Sequence, residues 1–579
     1  MPVITSEQEI IKDHLRLPLW LVVAAVFISV FAVYFPALNA GLVFDDLAMI
    51  PGNGDHLGHW SKLPDFFVTG VWNHSNIAYA DGSLYRPLWL VWELLMYQVA
   101  GEAPFGWHLS NLLLHGLNGC LLYLLLGRAG NHHELWRLGL VLLFLLHPVA
   151  SQNVAWISAS TDLLLVLWLA LAMLGYHGFY RHGSLSGLLL SLLCYLLAML
   201  TKEAAIAFPV FLLVLEWQRP VQRRFPWVAA VAFALLTLGY LLLRQIILQG
   251  MLSGGQSLWL WQWSSLLRML DYAATYARVL LWPWDLPLTR DHPPQGVGTA
   301  LDYGLGLLLW LAALLSLIRV PRTRPYLALI IAALGIPLLL AFHGKGAFAV
   351  RYLYLPLFAL CLLLGQLRPK TPGGKPAALL FSCVLLLLAC VTHFRELPGW
   401  RTQADFARVL LKYHPSADNW NTLVQARIDA GDMAGAIEDY DKARDALQKR
   451  SQEPAVLAGS LEAIAFALAQ QQDYDQSLKY YRELAGLPGF AYLGWTGAAN
   501  CLWALQRLPE ASDAYLSALQ DKPEHLDALY NLFMLSQSLN RPQQAQWAAQ
   551  AILRQNPAQV PEDISAAVRR YLQRANAGR

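Results

Sequence analysis

The sequence predicts an all-α chain in two parts: a polytopic membrane region over 1–395 and a soluble stack of helical hairpins over 396–579. Three observations carry that expectation. Of 579 residues, 56% are hydrophobic and only 14% charged, a balance foreign to ordinary soluble domains. The apolar residues concentrate in the first two thirds, in runs near the ~20 residues that span hydrocarbon. Beyond about residue 395 the text turns to mixed Ala, Gln, Asp, Leu and Tyr at helical spacing.

Eleven spans are expected, at roughly 18–37, 107–127, 135–150, 161–179, 184–200, 203–218, 226–247, 299–318, 326–342, 351–367 and 377–393. The segment before the first carries Lys12 and Arg16 but no small-residue cleavage site, so that span reads as an uncleaved anchor. With the N-terminus cytoplasmic, the inward loops hold Arg128 and Arg137, then Arg181, then Arg219, Arg223 and Arg224. Arg319, Arg322 and Arg324 follow, then Arg368, Lys370 and Lys375. Every inward connection is basic, as the positive-inside rule requires. An odd span count then puts residues 396–579 on the side opposite the cytoplasm, together with the long first loop, 38–106.

That first loop opens on Phe44-Asp45-Asp46, just past the first span. Adjacent aspartates cannot share one helix face. Taken alone, they read best as solvated helix-end carboxylates. Acidic groups at the mouth of a membrane helix are nevertheless functional candidates, one as general base and the other as an orienting group. Further along the loop, Trp60, Phe66, Phe67 and Trp72 precede an aromatic helix, Leu88 to Ala100. A second loop, 249–298, carries Trp259, Trp261, Trp263, Trp282 and Trp284 with Arg268, Arg278 and Arg290. Both loops are expected along the membrane interface.

From about residue 403 the chain repeats. Segments beginning at Gly431, Gln472, Gln506 and Asn540 share one pattern, with steps of 472 − 431 = 41, 506 − 472 = 34 and 540 − 506 = 34. A 34-residue helix-turn-helix period is the tetratricopeptide signature. Pro415, Pro523 and Pro557 fall between units, where helices must stop, and Pro561 to Ala577 reads as a capping helix. Such solenoids present a concave groove to peptides.

Other polar groups interrupt the apolar text on the side of the first loop: His147-Pro148, Gln152, Asn153, Lys202-Glu203, His343, Lys345, Arg351, Tyr352 and Tyr354. His108, Asn111 and His115 follow helical spacing on one face of the second span. Singly, each has an ordinary explanation: a tight-turn ion pair, a helix terminator, a snorkelling anchor. Together they place cations at one membrane boundary around a carboxylate pair. Cations there suit a lipid-borne phosphate, and a neighbouring carboxylate suits deprotonation of an acceptor hydroxyl. The chain has no Gly-rich phosphate loop, zinc spacing or nucleophile elbow. Five cysteines (Cys120, Cys194, Cys361, Cys383 and Cys390) lie in apolar segments and Cys501 in the soluble part, with no disulfide framework. The net charge of +3 gives no reason to expect nucleic acid.

These residues resemble a known group: the transmembrane and tetratricopeptide-repeat O-mannosyltransferases, within the GT-C glycosyltransferases, of which this chain looks like a bacterial relative. The matching stretches are Val43-Phe44-Asp45-Asp46, Tyr85-Arg86-Pro87-Leu88, His108 through Asn111 to His115, and His147-Pro148. Ser160-Thr161-Asp162-Leu163-Leu164, Leu200-Thr201-Lys202-Glu203, Arg351-Tyr352-Leu353-Tyr354-Leu355-Pro356 and Trp400-Arg401 follow in order. The resemblance implies transfer of a sugar, with inversion, from a polyprenyl-phosphate donor to Ser or Thr of a polypeptide held by the repeats. Asp45 would be the base and Asp46 its support. Arg86, Lys202 and Arg351 would meet the donor phosphate, with Tyr85, His108, His147, Glu203 and Tyr354 as supporting groups. One departure is visible: where the family pattern has Glu before the late Arg, this chain has Val350.

The location implied is a bacterial inner membrane with loop and repeats in the periplasm, or the endoplasmic reticulum lumen in a eukaryote. The aspartates could hold a divalent ion, but with no further carboxylate cluster at hand neither a metal nor another cofactor is expected. A GT-C enzyme acting on a lipid or surface glycan, with the repeats recruiting partners, is the alternative. A transporter fits poorly, because the charges collect at one face rather than along midplane helices.

Overall fold

The computed structural model describes residues 17–74, 84–128, 134–218, 226–248, 263–287, 298–342, 348–367, 375–448, 454–556 and 559–577. Lys12, Arg16, Arg219, Arg223, Arg224, Trp259, Trp261, Arg290, His343, Lys345, Arg368, Lys370 and Pro557 lie outside them. The chain divides into two compact units, Met1–Val409 and Leu410–Arg579.

In the first unit the principal helices are α1 (Leu19–Tyr34), α2 (Pro87–Ala100), α3 (Pro104–Arg128), α4 (Glu134–Leu146), α5 (Ser160–His182) and α6 (Leu185–Thr201). There follow α7 (Ala207–Trp217), α8 (Trp227–Ile247), α9 (Trp263–Leu281), α10 (Gly298–Arg319), α11 (Arg324–Phe342), α12 (Tyr354–Gln366) and α13 (Lys375–Val391), and the division between the units falls within α14 (Gln403–Tyr413). Among the described residues six helices are long and apolar enough to cross a membrane, or seven if the bent pair Glu134–Leu146 and Pro148–Ala155 is one span. The eleven expected spans divide the chain more finely. Several of the extra ones coincide with shorter apolar helices: α6, the Gly304–Arg319 part of α10, and Val350–Gln366.

The bundle is built around α5. Some 83% of the apolar stretch containing α5 is buried inside the protein, against 11% for α8, most of whose side chains face outward. In a bilayer such an outward apolar face meets lipid, so packing between helices must come from close shape fit. The α5–α6 hairpin shows how. It turns at Gly183, in the left-handed region at φ 68°, and its helices touch backbone to backbone at Gly175 and Gly187. A Cβ on Gly175 would lie 2.7 Å from the Gly187 carbonyl oxygen, and one on Gly187 2.6 Å from that of Gly175.

The interior also holds a polar tie. Tyr354 Oη lies 2.8 Å from His115 Nδ1 and accepts a hydrogen bond from Asn118 Nδ2 at 3.2 Å. His115 Nε2 reaches the Leu145 carbonyl at 3.1 Å, and Asn118 Nδ2 that of Leu163 at 2.9 Å. The tie therefore joins α3, α4, α5 and α12, and it satisfies polar atoms that apolar surroundings would otherwise penalise.

One stretch is more tightly packed than its sequence indicates. The loop 249–298, expected along the interface, contains α9, where Asp271, Tyr272, Tyr276 and Val279 are buried. Tyr276 stacks on Phe348 at 4.6 Å. Trp263, Trp282 and Trp284 do remain exposed. Asp271, Arg268 and Arg278 break the apolar window in sequence, which conceals a packed helix from any hydropathy reading.

The second unit comprises α15 (Ala417–Asp429), α16 (Met433–Gln448), α17 (Ala458–Gln470), α18 (Tyr474–Ala485), α19 (Ala491–Ala504), α20 (Leu508–Asp521), α21 (Leu526–Ser538), α22 (Pro542–Leu553) and α23 (Glu562–Ala577). Four hairpins, α15–α16 through α21–α22, close with the same turn. Gly431, Gln472, Gln506 and Asn540 all take positive φ, at 75°, 64°, 61° and 54°. Each time the next amide bonds back five residues: Asp432 to Arg427, Asp473 to Leu468, Arg507 to Leu502 and Arg541 to Ser536. This is the Schellman closure of a helix C-terminus, and it falls on the four positions from which the period was read. One continuous core runs through the unit, from Val424 through Leu461, Leu484, Tyr515 and Leu532 to Val568.

Candidate active site

The short helix Asp45–Met49 begins from a strained residue. Phe44 has φ 54° and ψ −120°, a conformation that costs a bulky residue about 1–3 kcal/mol. Its surroundings hold it there. The Phe44 amide donates to Gln403 Oε1 at 2.8 Å, and the ring packs on Trp156 at 5.7 Å and Phe406 at 5.2 Å. The sharp turn sends the two aspartates in different directions.

Asp46 points inward and is fully buried. One oxygen accepts from the Ser158 amide at 2.8 Å and the Ser158 hydroxyl at 2.5 Å, the other from the Val43 amide at 3.2 Å. Burial pushes its carboxyl up to about 7, against the pull of those donors. Asp45 is half-buried, and among the described residues no hydrogen bond takes up its carboxylate. Burial raises it to about 6, while the neighbouring guanidinium groups of Arg351 and Arg86 draw it down. The paired motif thus splits into an anchored acid and an available one.

The three expected phosphate contacts differ in state. Arg86 forms a two-pronged pair with Glu203, at 3.1 and 2.7 Å, and Lys202 Nζ sits 2.6 Å from Asp162 Oδ1. Both cations already have a carboxylate. Among the described residues Arg351 has no ion-paired carboxylate; its guanidinium lies over the Trp156 ring at 4.7 Å and the Tyr352 ring at 5.3 Å. Its backbone is held by Gln152 Oε1, which accepts from the Arg351 amide at 2.8 Å, and by Asn153, which donates to its carbonyl at 3.2 Å. Lys202 Nζ also approaches Tyr352, at 5.3 Å. Arg86, Lys202, Glu203, Arg351 and the Asp pair therefore gather at one end of the bundle, where α2 and α5 begin and α6 ends.

The supporting groups are more dispersed. Tyr85 donates to the Phe67 carbonyl at 3.0 Å and fixes the loop before Arg86. His147 caps the turn 148–150, its Nδ1 accepting from the Val149 amide at 3.2 Å. His108 is wholly buried beside the backbone of Ala40 and Gly41. Tyr354 is spent on the interior tie with His115 and Asn118. These four shape the fold around the site through backbone and core contacts.

Four participants escaped the sequence reading as site residues. Asp162 neutralises Lys202, Ser158 anchors Asp46, and Trp156 carries Arg351. The fourth, Glu93 on α2, is fully buried, and among the described residues neither of its carboxylate oxygens is hydrogen-bonded. Burial, then the charge of Asp46, drives its carboxyl well above the usual range. An acid inside the aromatic run Leu88 to Ala100 was the available signal. Among the described residues no group of three or more His, Cys, Asp or Glu is arranged to hold a metal.

No family model matches the chain. It is 28% identical over 501 residues to the protein O-mannosyl-transferase TMTC4 of Mus musculus, covering 73% of this chain and 66% of that one. With TMTC4 of Homo sapiens it is 28% identical over 513 residues, covering 75% and 68%. With Tmtc1 of Drosophila melanogaster it is 31% identical over 176 residues, which are 30% of this chain and 20% of that one. The chain thus spans between a fifth and about two thirds of these relatives' length. Among solved structures, the crystal structure of ArnT from Cupriavidus metallidurans bound to undecaprenyl phosphate superposes loosely, with TM-score 0.38 and 17% identity over 86% of this chain and 79% of that one. The chain is related, at modest identity, to the TMTC protein O-mannosyl-transferases.

Proposed function

We propose that this protein is a GT-C membrane glycosyltransferase that moves a sugar from a polyprenyl-phosphate donor to Ser or Thr hydroxyls of a polypeptide, with inversion. The observation that carries the reading is the division of labour at residues 45 and 46. Asp45 is half-buried, faces Arg351 and Arg86, and titrates near 6, which suits a base acting near neutral pH. Asp46 has both oxygens engaged by Ser158 and Val43 and fixes the turn.

Arg351 is the cation best placed to accept the donor phosphate, since it rests on rings rather than on an acid. Arg86 and Lys202, already paired, would orient the site and keep its net charge low until the phosphate arrives. As Asp45 takes the acceptor proton, the hydroxyl oxygen attacks the anomeric carbon from the face opposite the leaving phosphate. That phosphate departs with the bonding electron pair, and Arg351 stabilises its charge. The second unit reads as a tetratricopeptide-repeat solenoid that presents the acceptor, and the relationship to the O-mannosyl-transferases supports both sugar transfer and a protein acceptor. The extracytoplasmic side of a bacterial inner membrane is the expected location.

The test is Asp45→Asn in purified protein with a polyprenyl-phosphate sugar and a Ser/Thr peptide. Transfer is expected to vanish while the protein stays folded; full activity would sink the assignment. A GT-C enzyme acting on a lipid or glycan is separated by truncation. Cutting at residue 403 removes Gln403 and Phe406, which hold Phe44, so the cut belongs after Tyr413. Transfer to protein is expected to fall in that truncated form, and unchanged transfer would favour the lipid or glycan acceptor.

A further inference from the structure

At the end of the bundle remote from Asp45, a cleft of about 180 Å³ opens between helix termini. α5 has 23 residues and is therefore roughly 35 Å long, which sets the approximate separation from Asp45. Arg128 at the last residue of α3 lines the cleft, with His177 and Arg181 on the last turns of α5 and Gln366 ending α12. Its floor is apolar, including Met173 and Phe211. Arg128, Arg181 and His182 all lie near His177, which brings two guanidinium groups together at the cleft.

Two acids at this end each have a partner of their own, although Tyr176, which holds Glu216, itself lines the cleft. Glu134 pairs with Arg137 at 2.8 Å and accepts from the Tyr123 hydroxyl. Glu216 accepts from Tyr176 at 2.5 Å. Among the described residues no carboxylate forms an ion pair with Arg128, His177 or Arg181. Clustered cations without counter-charge repel one another and favour an anion. Two guanidinium forks match phosphate oxygens, and the apolar floor suits the first carbons of an acyl chain.

We propose that this cleft binds the phosphate headgroup of an anionic membrane phospholipid. Basic residues at helix ends that merely anchor the protein to bulk headgroups would show no selectivity and no defined stoichiometry. A site does. The full-length protein, delipidated in nonionic detergent, is titrated with short-chain phosphatidylglycerol or phosphatidylcholine and read by native mass spectrometry. One phosphatidylglycerol is expected to be retained with about tenfold preference over phosphatidylcholine, equivalent to ~1.4 kcal/mol. The Arg128→Gln/Arg181→Gln double variant is expected to lose the preference and Arg128→Lys/Arg181→Lys to keep most of it, both with unchanged melting temperatures because both side chains are exposed. Equal uptake of the two lipids, or unaltered preference in the Gln variant, would overturn the proposal. Displacement of the lipid by millimolar inorganic phosphate would overturn it as well, assigning the cleft to a soluble anion.

Discussion

Removing the Arg351 guanidinium is expected to shift the acid limb of sugar transfer to higher pH. A general base works ionised, so with Asp45 at about 6 the rate should rise through that pH. Roughly 10% of the carboxyl is ionised one unit below its midpoint and roughly 90% one unit above. An opposite charge nearby lowers a carboxyl by about 1–3 units, and solvent around half-buried Asp45 argues for the lower end, about one unit. Arg351→Gln should therefore move the limb from about 6 to about 7, cutting the ionised fraction at pH 6 about fivefold. The measurement is kcat/KM between pH 5 and 9 with a lipid-linked donor. Because Arg351 is also assigned to the donor phosphate, the plateau should fall too, so the limb's midpoint is the informative quantity. A lowered plateau with an unmoved midpoint would refute the electrostatic link, and a flat profile in the unaltered protein would refute Asp45 as the base.

Two further outcomes follow from the buried charges. Asp46 titrates near 7 in the folded protein against an ordinary value of 3.8, so the native state holds the proton more tightly and stability falls as pH rises from about 4 to 7. Relative to the unaltered protein, Asp46→Asn is therefore expected to melt higher at pH 8 than at pH 3, on top of a pH-independent loss because an amide NH2 cannot accept from the Val43 amide, as thermal scans at the two pH values would show. Arg86→Ala strands the Glu203 carboxylate and should cost about 2 kcal/mol, below the ~3–5 of a fully buried pair because both partners keep some solvent. The double change Arg86→Met/Glu203→Leu should restore the melting temperature without restoring transfer; recovered activity would show that Arg86 serves only the fold.

How far the site could be read from sequence depended on the kind of contact. Asp45, Arg86, Lys202 and Arg351 stood out because an ionised group in apolar text is costly and hence conspicuous. Trp156 and Ser158 did not, since an indole and a hydroxyl are unremarkable at a helix start. Glu93 was visible as a charge but not as a neighbour of Asp46, because α2 and residue 46 are distant in sequence. His108 and Tyr354 were read as supporting groups from polar positions in motifs that resemble the family's, yet a membrane interior also needs polar ties between helices, and neither polarity nor motif separates the two uses.

Local periodicity by itself determined the all-α class, the apolar segments of the first part and the four hairpin turns at 431, 472, 506 and 540, because each rests on residues close in sequence. Partner choice lay beyond it. That Arg86 and Lys202 are neutralised by Glu203 and Asp162 while Arg351 rests on aromatic rings is a consequence of which helix ends meet. So is the difference between Asp45 and Asp46: adjacent, chemically identical residues acquire different surroundings only when a strained Phe44, clamped by Gln403, Trp156 and Phe406, turns one towards Ser158 and leaves the other facing the cations.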